Sequence, residues 1–400
     1  MMQTPYYIFY ADEFEENYLK LQKAFREIYP NYRIAYSFKT NYTPAVCKAV
    51  LDLGGYAEVV SDMEYELAKR IGFASERIIY NGPGKGPLME SCIIEGGLLN
   101  LDNLYEVDQI CKMNCKNVSV GLRVNFDIGN GLHSRFGLDI TNGDLDYAVE
   151  KLHNRGIRIK GLHFHISRAR GLDSWNARIE NMLKVADRFS DPDDPCYQDT
   201  PLEYIDLGSG MFGQLDDELK TQFGYVPSYS EYAQIVAGKM RAHYPEGAYR
   251  PVLITEPGTT LVSKYFHLFA RVIDIKNIRE KAFALLDCSF HNVGEICGLK
   301  KVPFRVLTDN QDATSYEAID LVGYTCLEQD VISRNYSGRL AAGDVLEFYN
   351  VGGYSIVDKP PFIHPDIPIY MIKNGTSVCV KRAQTIDDIF APYSFDLERE

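Results

Sequence analysis

The chain has 400 residues, of which 46% are hydrophobic and 24% are charged, and its formal net charge is −13. This composition supports a large core and excludes a disordered chain, and the length suits two domains. The acidic balance argues against nucleic acid as a partner, because binding a phosphate backbone requires a basic surface.

The sequence also bears on the cellular compartment. We find no apolar run of 18 or more residues, so no membrane span is expected. The first residues lack the basic start and the apolar core of a signal peptide. The nine cysteines are scattered, and the one close pair, Cys111 and Cys115, has no histidines nearby to complete a zinc site. We therefore expect no metal centre, and reduced thiols in a cytoplasmic protein.

Short β-rich segments alternate with longer segments of helical periodicity from about residue 30 to residue 265. The β-rich segments are RIAYSFK, YAEVV, RIIYNG, GLLNLD, VSVGLRVNF, IKGLHFHI, LEYIDLGSG and PVLITEPG. Eight strand–helix units of this size predict a (β/α)8 TIM barrel, an α/β fold that we place at residues 26–264. A doubly wound sheet is the alternative.

The alternation of strand-like and helical segments ends after about residue 265. Strand-like segments follow one another with little helix between them, which predicts a β-sandwich or open barrel over residues 265–400. The first residues include the strand-like segment PYYIFYA. We assign residues 1–25 to the same β domain, because chain termini often lie close together.

Polar residues are concentrated where the predicted barrel strands end, and in a barrel these ends converge on the active site. They are Lys39, Glu58, Arg123, His165, the Gly208-Ser209-Gly210 turn and the Glu256-Pro257-Gly258 segment. A glycine turn after a strand offers N–H groups to a phosphate, although a plain tight turn is the commoner reading. A lysine beside a phosphate site suggests a Schiff base with a phosphate-bearing aldehyde, and pyridoxal phosphate is such a molecule. Glu256 would then bind the ring nitrogen, and His165 would stack on the ring.

Six segments, in order, resemble motifs of the fold type III pyridoxal-phosphate decarboxylases, the family of diaminopimelate and ornithine decarboxylases. They are AYSFKTN, GLHFHI, DLGSGMFG, ITEPG, GYTCLEQD and AAGDVLEFYNVGGYS. Together they cover nearly the whole chain. The resemblance implies an alanine racemase-like barrel that binds the cofactor, followed by a β domain.

The resemblance also implies roles for particular residues. Lys39 forms the Schiff base, His165 stacks on the ring and Glu256 bonds the pyridine nitrogen. The phosphate is bound by the Gly208-Ser209-Gly210 turn, with Gly258 nearby and a hydroxyl from Tyr354, while Glu58 and Arg123 lie near the ring. Cys326 resembles the thiol that protonates the product, with Glu328 and Asp330 beside the substrate. In this family Cys326, Asp330 and Tyr354 reach the partner's cofactor, which implies a homodimer with shared active sites.

Three departures from the family pattern matter. The histidine segment continues as Ile166-Ser167-Arg168, where the family has a small residue, glycine and serine, and Thr259 replaces the arginine that usually follows EPG. We therefore hypothesise that Arg168 supplies the phosphate-binding charge. At position 327 the family has an acidic residue that binds the distal amine of the substrate. Here that residue is Leu327, and Glu328 comes one place later. The distal group of this substrate is then uncharged, acylated or differently placed.

These features predict a lyase of amino-acid metabolism, a carboxy-lyase that uses pyridoxal phosphate. Its substrate is a diaminopimelate-, ornithine- or lysine-like amino acid, or a modified or carrier-linked one. There are two alternatives to a decarboxylase. One is an amino-acid racemase, since alanine racemase shares the domain plan, and the other is a non-catalytic homologue that binds the cofactor.

Overall fold

The structure is a computed structural model that describes residues 3–113, 117–307, 310–311, 313–359 and 361–395. Cys115, one of the close cysteine pair, lies outside the described residues. The described chain forms two compact units. One contains residues 15–213 and 225–261, and the other contains the chain through Phe14, residues 214–224 and the chain from Val262 onward. The predicted limits at residues 26 and 264 leave residues 15–25 out of the first unit, and they include residues 214–224, which belong to the other unit.

The strands are β1 Tyr6–Tyr10, β2 Tyr32–Ser37, β3 Tyr56–Val59, β4 Ile78–Tyr80, β5 Leu98–Leu101, β6 Ser119–Asn125, β7 Leu138–Asp139, β8 Arg158–His163, β9 Tyr204–Asp206, β10 Val252–Thr255, β11 Phe266–Ile278, β12 Lys281–Leu286, β13 Phe304–Val306, β14 Thr314–Val322, β15 Val331–Leu340, β16 Val345–Phe348, β17 Ile369–Lys373 and β18 Thr376–Lys381. The helices are α1 Ala11–Arg26, α2 Pro44–Asp52, α3 Asp62–Ile71, α4 Leu88–Ile94, α5 Leu104–Lys112, α6 Asp144–His153, α7 Leu172–Arg188, α8 Asp217–Lys220, α9 Tyr229–His243, α10 Thr259–Val262, α11 Phe290–Val293, α12 Ile296–Leu299 and α13 Ile386–Phe390. Among the described residues, no helix combines the length and the apolar character that crossing a membrane requires.

Eight parallel strands close the barrel in the order β2, β3, β4, β5, β6, β8, β9 and β10, and β10 pairs again with β2. The short strand β7 pairs with β6 beside this circle. All eight predicted segments contribute a strand, so the expected (β/α)8 barrel is confirmed. The strands read as nearly continuous apolar runs because a parallel barrel is buried on both faces.

The barrel interior is filled by a tyrosine from β9. Tyr204 packs with Ala35, Ile79 and Ile254 in one buried cluster. A Cβ added to Gly161 would lie 2.2 Å from the Tyr204 ring, so only glycine allows the ring to cross this strand. The Tyr204 hydroxyl donates a 2.6 Å hydrogen bond to Asn100 Oδ1, which satisfies its polar end within the core.

The second unit is built on a mixed sheet in the order β15, β14, β12, β11, β1, β17 and β18, with β16 joining β11 to β13. The predicted separate β domain is therefore present. The N-terminal strand β1 lies between β11, with which it is antiparallel, and β17, with which it is parallel. The sequence reading missed β15, because polar, exposed residues such as Arg334, Asn335 and Arg339 interrupt its apolar pattern.

Candidate active site

Lys39 lies on a 3-10 turn, Phe38–Thr40, that directly follows β2. Its Nζ is 2.8 Å from Oε1 and 2.6 Å from Oε2 of Glu58, a buried residue of the neighbouring strand β3. Ser37 donates a 2.5 Å hydrogen bond to the same carboxylate. A buried anion therefore holds the amine, while 35% of the lysine side chain stays accessible.

Asn81, at the end of β4, joins two buried carboxylates. Its Nδ2 lies 2.5 Å from Glu256 Oε1 and 3.2 Å from Glu58 Oε1. Asn100 donates a 2.9 Å hydrogen bond to Asn81 Oδ1, which fixes the orientation of the amide. Sequence reasoning missed Asn81, although its position directly after the segment RIIY was a usable signal.

A second residue that sequence reasoning missed is Asp206, which ends β9. Potential ligand atoms of His163, Asp206 and Glu256 all lie within 4.8 Å of one another, and the three residues are buried. His163 Nε2 lies 3.2 Å from Glu256 Oε2. His163 thus contacts the acidic residue, a structural role within the site.

The pKa values of the two carboxyl groups of this cluster, Asp206 and Glu256, shift in opposite directions. Burial, followed by the charge of Glu256, raises the pKa of Asp206 well above its ordinary value. Burial would also raise the pKa of Glu256, but His163, Lys39 and the neighbouring Asp206 together lower it below its ordinary value. Like charges at this distance cannot both form, so Glu256 is the anion and Asp206 the neutral acid.

His165 lies just beyond β8 and packs against the glycine turn. A Cβ on Gly208, where φ is +59°, would approach the His165 Cβ to 2.6 Å, so this contact requires glycine. The Ser209 N–H donates to His165 Nδ1 at 3.2 Å, which leaves the proton of a neutral ring on Nε2. Burial, with the charges of Lys39 and Arg178, lowers the pKa of His165 well below its ordinary value. The His165 ring is therefore neutral, and it lies in close contact with the glycine turn.

The glycine turn presents fewer N–H groups than its sequence implies. The Gly208 N–H donates to Asp206 Oδ1 at 2.9 Å, and the Ser209 N–H is occupied by His165. Gly210, with φ at +108°, keeps an N–H that donates to no acceptor among the described residues. Of the predicted phosphate ligands in this turn, Gly210 is the one whose backbone donor remains available.

Two arginines were predicted near the cofactor. Arg123 is buried, its Nη1 lies 3.0 Å from Asp102 Oδ1, and its Nη2 donates to the His165 carbonyl at 3.1 Å. Burial lowers its pKa, although Asp102 acts in the opposite direction. Arg123 therefore positions the histidine segment. Arg168 is exposed to solvent, and its φ is +64°.

Gly258 allows the lysine turn and the acidic segment to approach each other closely. A Cβ at this position would lie 2.0 Å from Thr40 Oγ1 and 2.8 Å from Thr40 Cβ. Thr40 is the last residue of the turn that carries Lys39. The glycine of EPG thereby determines how near the chain after Glu256 can lie to Lys39.

The remaining predicted residues belong to the second unit. Cys326 and Glu328 are exposed. Asp330 is buried, and it accepts hydrogen bonds from the Phe290 N–H at 2.8 Å and from the Thr325 hydroxyl at 2.6 Å. These bonds shape the loop that carries Cys326, so Asp330 has a structural role there. Tyr354 is partly buried and adopts φ of +56°.

The barrel residues fit pyridoxal phosphate. An amine held at the end of β2 can bind an aldehyde, and a buried anion such as Glu256 can keep a ring nitrogen protonated. A neutral imidazole offers a flat face, and a glycine turn with an available N–H suits a phosphate. Together these groups match the reactive parts of one cofactor.

Comparisons with known proteins agree with this assignment. The family model described as "Pyridoxal-dependent decarboxylase, pyridoxal binding domain" matches residues 13–263. The diaminopimelate decarboxylase of Aquifex aeolicus is 22% identical over 407 residues, covering 97% of this chain and 91% of the relative. A crystal structure of diaminopimelate decarboxylase from M. jannaschii superposes with a TM-score of 0.85 at 20% identity, covering 98% of this chain and 92% of that one. The arginine decarboxylase of Paramecium bursaria Chlorella virus gives a TM-score of 0.77 at 20% identity, covering 93% and 96%.

The fold and the site thus define a barrel enzyme that uses pyridoxal phosphate. The chain belongs to the pyridoxal-dependent decarboxylase family, and it catalyses the decarboxylation of an amino acid with that cofactor. The resemblance stated from the six sequence segments is confirmed.

Proposed function

We propose that the decarboxylation depends on Lys39 as the tether for the cofactor aldehyde. The observation that supports this role most directly is the ion pair of Lys39 with the buried Glu58. The pair orients the amine at the end of the barrel strands, where catalytic groups of this fold converge.

Each neighbouring group has a proposed task. When bound, pyridoxal phosphate supplies an electron sink for the electrons that remain when carbon dioxide leaves. Glu256, held as an anion by His163 and Asp206, keeps a proton on the ring nitrogen. His165 supports the ring face, while Arg123 fixes the backbone that carries His165.

We propose that the reaction is completed by residues of the second unit acting in a homodimer. The resemblance assigns Cys326, Asp330 and Tyr354 to the partner's active site, where the buried Asp330 would act by holding the loop that carries Cys326. The exposure of Cys326 supports this role, because a buried thiol would be unable to reach a substrate.

The eight cysteines that the structure describes are all free thiols, which supports a reducing, cytoplasmic location.

We propose further that Arg168 contributes charge to the phosphate site, as the sequence suggested. Its position three residues after His165 supports this proposal. An Arg168→Ala variant is expected to bind pyridoxal phosphate more weakly than the wild type. An unchanged dissociation constant would contradict the assignment.

The proposed substrate is an amino acid whose distal group is modified, acylated or carrier-linked. The support is Leu327, which provides no charge at the position where the family reads a distal amine. Glu328, one residue later, is exposed and could offer that charge instead. Diaminopimelate, ornithine and lysine are therefore tested as alternative substrates.

The experiment is a measurement of carbon dioxide released from a panel of L-, D- and meso-amino acids and their N-acylated derivatives. Faster release from a modified amino acid than from the parent diamino acids would support the proposed substrate class. Preference for an unmodified diamino acid would overturn it. Loss of optical rotation without carbon dioxide would instead indicate a racemase. Lys39→Ala serves as the inactive control.

A further inference from the structure

Arg178 is a fully buried cation in the middle of α7. Its Nη1 donates to the carbonyls of Leu207 at 3.0 Å and Ser209 at 2.7 Å, and its Nη2 donates to those of Ile166 and Ala169, both at 3.4 Å. Within the described part of the chain, no carboxylate lies at ion-pair distance from this guanidinium, and its Nε has no acceptor. The charge is thus surrounded by carbonyl dipoles and lacks a protein anion.

The surroundings of Arg178 do not neutralise it. Its guanidinium lies over the Trp175 ring at 4.2 Å, on the same face of the helix. Burial lowers its pKa to about 9, so the group stays charged at neutral pH. Burial also raises the pKa of the nearby Tyr232 to about 12, so this phenol stays neutral. A buried charge without a counter-charge is costly, which indicates that an anion belongs close to it.

The four carbonyls belong to the two segments that follow neighbouring strands. Ile166 and Ala169 follow β8, and Leu207 and Ser209 follow β9. In a planar trans peptide the C=O and the following N–H point in opposite directions. The Ser209 carbonyl faces Arg178, so the Gly210 N–H is directed away from it. The same relation holds for the Ile166 carbonyl and the Ser167 N–H.

Both of these N–H groups are available for a ligand. Neither Gly210 nor Ser167 donates its backbone N–H to an acceptor among the described residues. They come from separate segments, and one side chain holds the carbonyls on the opposite side of both peptides. Arg178 thereby sets the distance between two backbone donors at the carboxyl ends of β8 and β9.

We propose that Arg178 is the positioning residue of the phosphate site: it holds both N–H donors from behind, and the cofactor phosphate balances its charge. This inference rests on the cofactor assignment and adds a group outside the motifs by which the family was recognised. It also explains why a cation without a carboxylate partner is retained in the core. Inorganic phosphate and the phosphate of the cofactor present the same chemistry to this site.

The test compares the binding of pyridoxal phosphate with that of pyridoxal, which lacks the phosphate, by absorbance titration of the full-length protein after removal of cofactor. Arg178→Gln keeps hydrogen-bond donors but removes the charge, whereas Arg178→Lys keeps the charge. Arg241→Gln, at an exposed position of α9, is the matched control. We expect Arg178→Gln to reduce the preference for the phosphorylated form at least tenfold, and Arg178→Lys to keep it within about threefold of wild type. Pyridoxal itself should bind all folded variants with similar affinity.

A folded Arg178→Gln protein with an unchanged preference would overturn the inference while leaving the cofactor assignment intact. A wild-type protein that binds neither form would instead contradict the proposed tether. If Arg178→Gln does not fold, the inference is tested instead by the unfolding temperatures of the cofactor-free wild type and of Arg178→Lys, measured with and without inorganic phosphate. Inorganic phosphate should raise both unfolding temperatures more than sodium chloride of equal ionic strength. No phosphate-specific rise in the wild type would equally overturn the inference.

Discussion

Lys39, on the turn that follows β2, forms a two-point ion pair with Glu58 of the neighbouring strand β3, with Nζ 2.8 Å and 2.6 Å from the two carboxylate oxygens. The register of the sheet places Ser37, two residues before the lysine, opposite Glu58. Because Glu58 is buried and bonded to Ser37 and Asn81, the anion cannot follow the lysine if it moves. The ion pair with Glu58 therefore fixes the position of Lys39 Nζ before it reacts with an aldehyde.

We expect Lys39→Ala to abolish covalent attachment of the cofactor and to reduce decarboxylation by more than about 100-fold, because no other amine in the described part of the chain is held beside Glu58. The measurement is borohydride reduction of the cofactor-loaded protein, followed by peptide mapping for a pyridoxyl group. Lys48→Ala, at an exposed position of α2, is the control and should label normally. A pyridoxyl group on a different lysine of the wild type would contradict the assignment.

The proton that Asp206 carries should appear in the pH dependence of stability. Its pKa is raised in the folded state, so its stabilising effect is complete below the unfolded pKa and is lost as pH rises through the folded pKa. In Asp206→Asn a neutral amide takes the place of the protonated acid. Above the unfolded pKa of an aspartate, about 3.9, urea unfolding of the cofactor-free variant should therefore show a pH slope that is flatter than that of the wild type. The difference should reach ~1.4 kcal/mol per pH unit and end where the pH passes the folded pKa of Asp206.

The titration of Glu256 has the opposite sign and a different window. Its folded pKa is depressed, so its contribution is lost only as pH falls through that low value. It leaves the slope above about pH 6 unaffected. Asp193→Asn, at an exposed loop position, is the control and should follow the wild type. Equal slopes for wild type and Asp206→Asn would show that Asp206 is ionised in the folded state.

Gly258→Ala is expected to displace the turn that carries Lys39, because its Cβ would lie 2.0 Å from Thr40 Oγ1. Overpacking of this kind typically costs about 1–3 kcal/mol of stability. Cofactor capture, followed as the growth of Schiff-base absorbance, should also slow. Gly84→Ala has open space around its Cβ and should change neither property. Normal capture by a destabilised Gly258→Ala protein would separate the turn geometry from the function of Lys39.

Mixing two inactive variants tests the proposed shared sites. Lys39→Ala and Cys326→Ala each remove a group from every active site of a homodimer. If the two residues of one site come from different subunits, a mixed dimer retains one intact site. Subunit exchange should then restore up to about a quarter of wild-type activity. Restoration that never exceeds the sum of the two variants, in a sample whose exchange is verified by mass, would place both residues of a site in one subunit.

Particular segments show how far sequence reasoning reached. The runs RIAYS and VLIT are apolar and rich in β-branched or aromatic residues, so β2 and β10 were recognisable without knowing their neighbours. The strand β15 was missed because half-exposed strands carry polar residues that resemble a loop. Lys39, His165 and Glu256 were recognisable because each lies next to a strand end or a glycine motif.

The sequence by itself determined the succession of strands and helices in the barrel, and with it the end of the barrel where these side chains lie. Only the tertiary structure showed that Asn81, Asp206 and Arg178 belong to the candidate site. Asn81 and Glu256 are 175 residues apart, and Arg178 meets Ser209 across 31 residues. The reason is physical: local periodicity reports which face of an element is buried, whereas hydrogen-bond partners and shifted pKa values depend on groups that strand register brings together from distant parts of the chain.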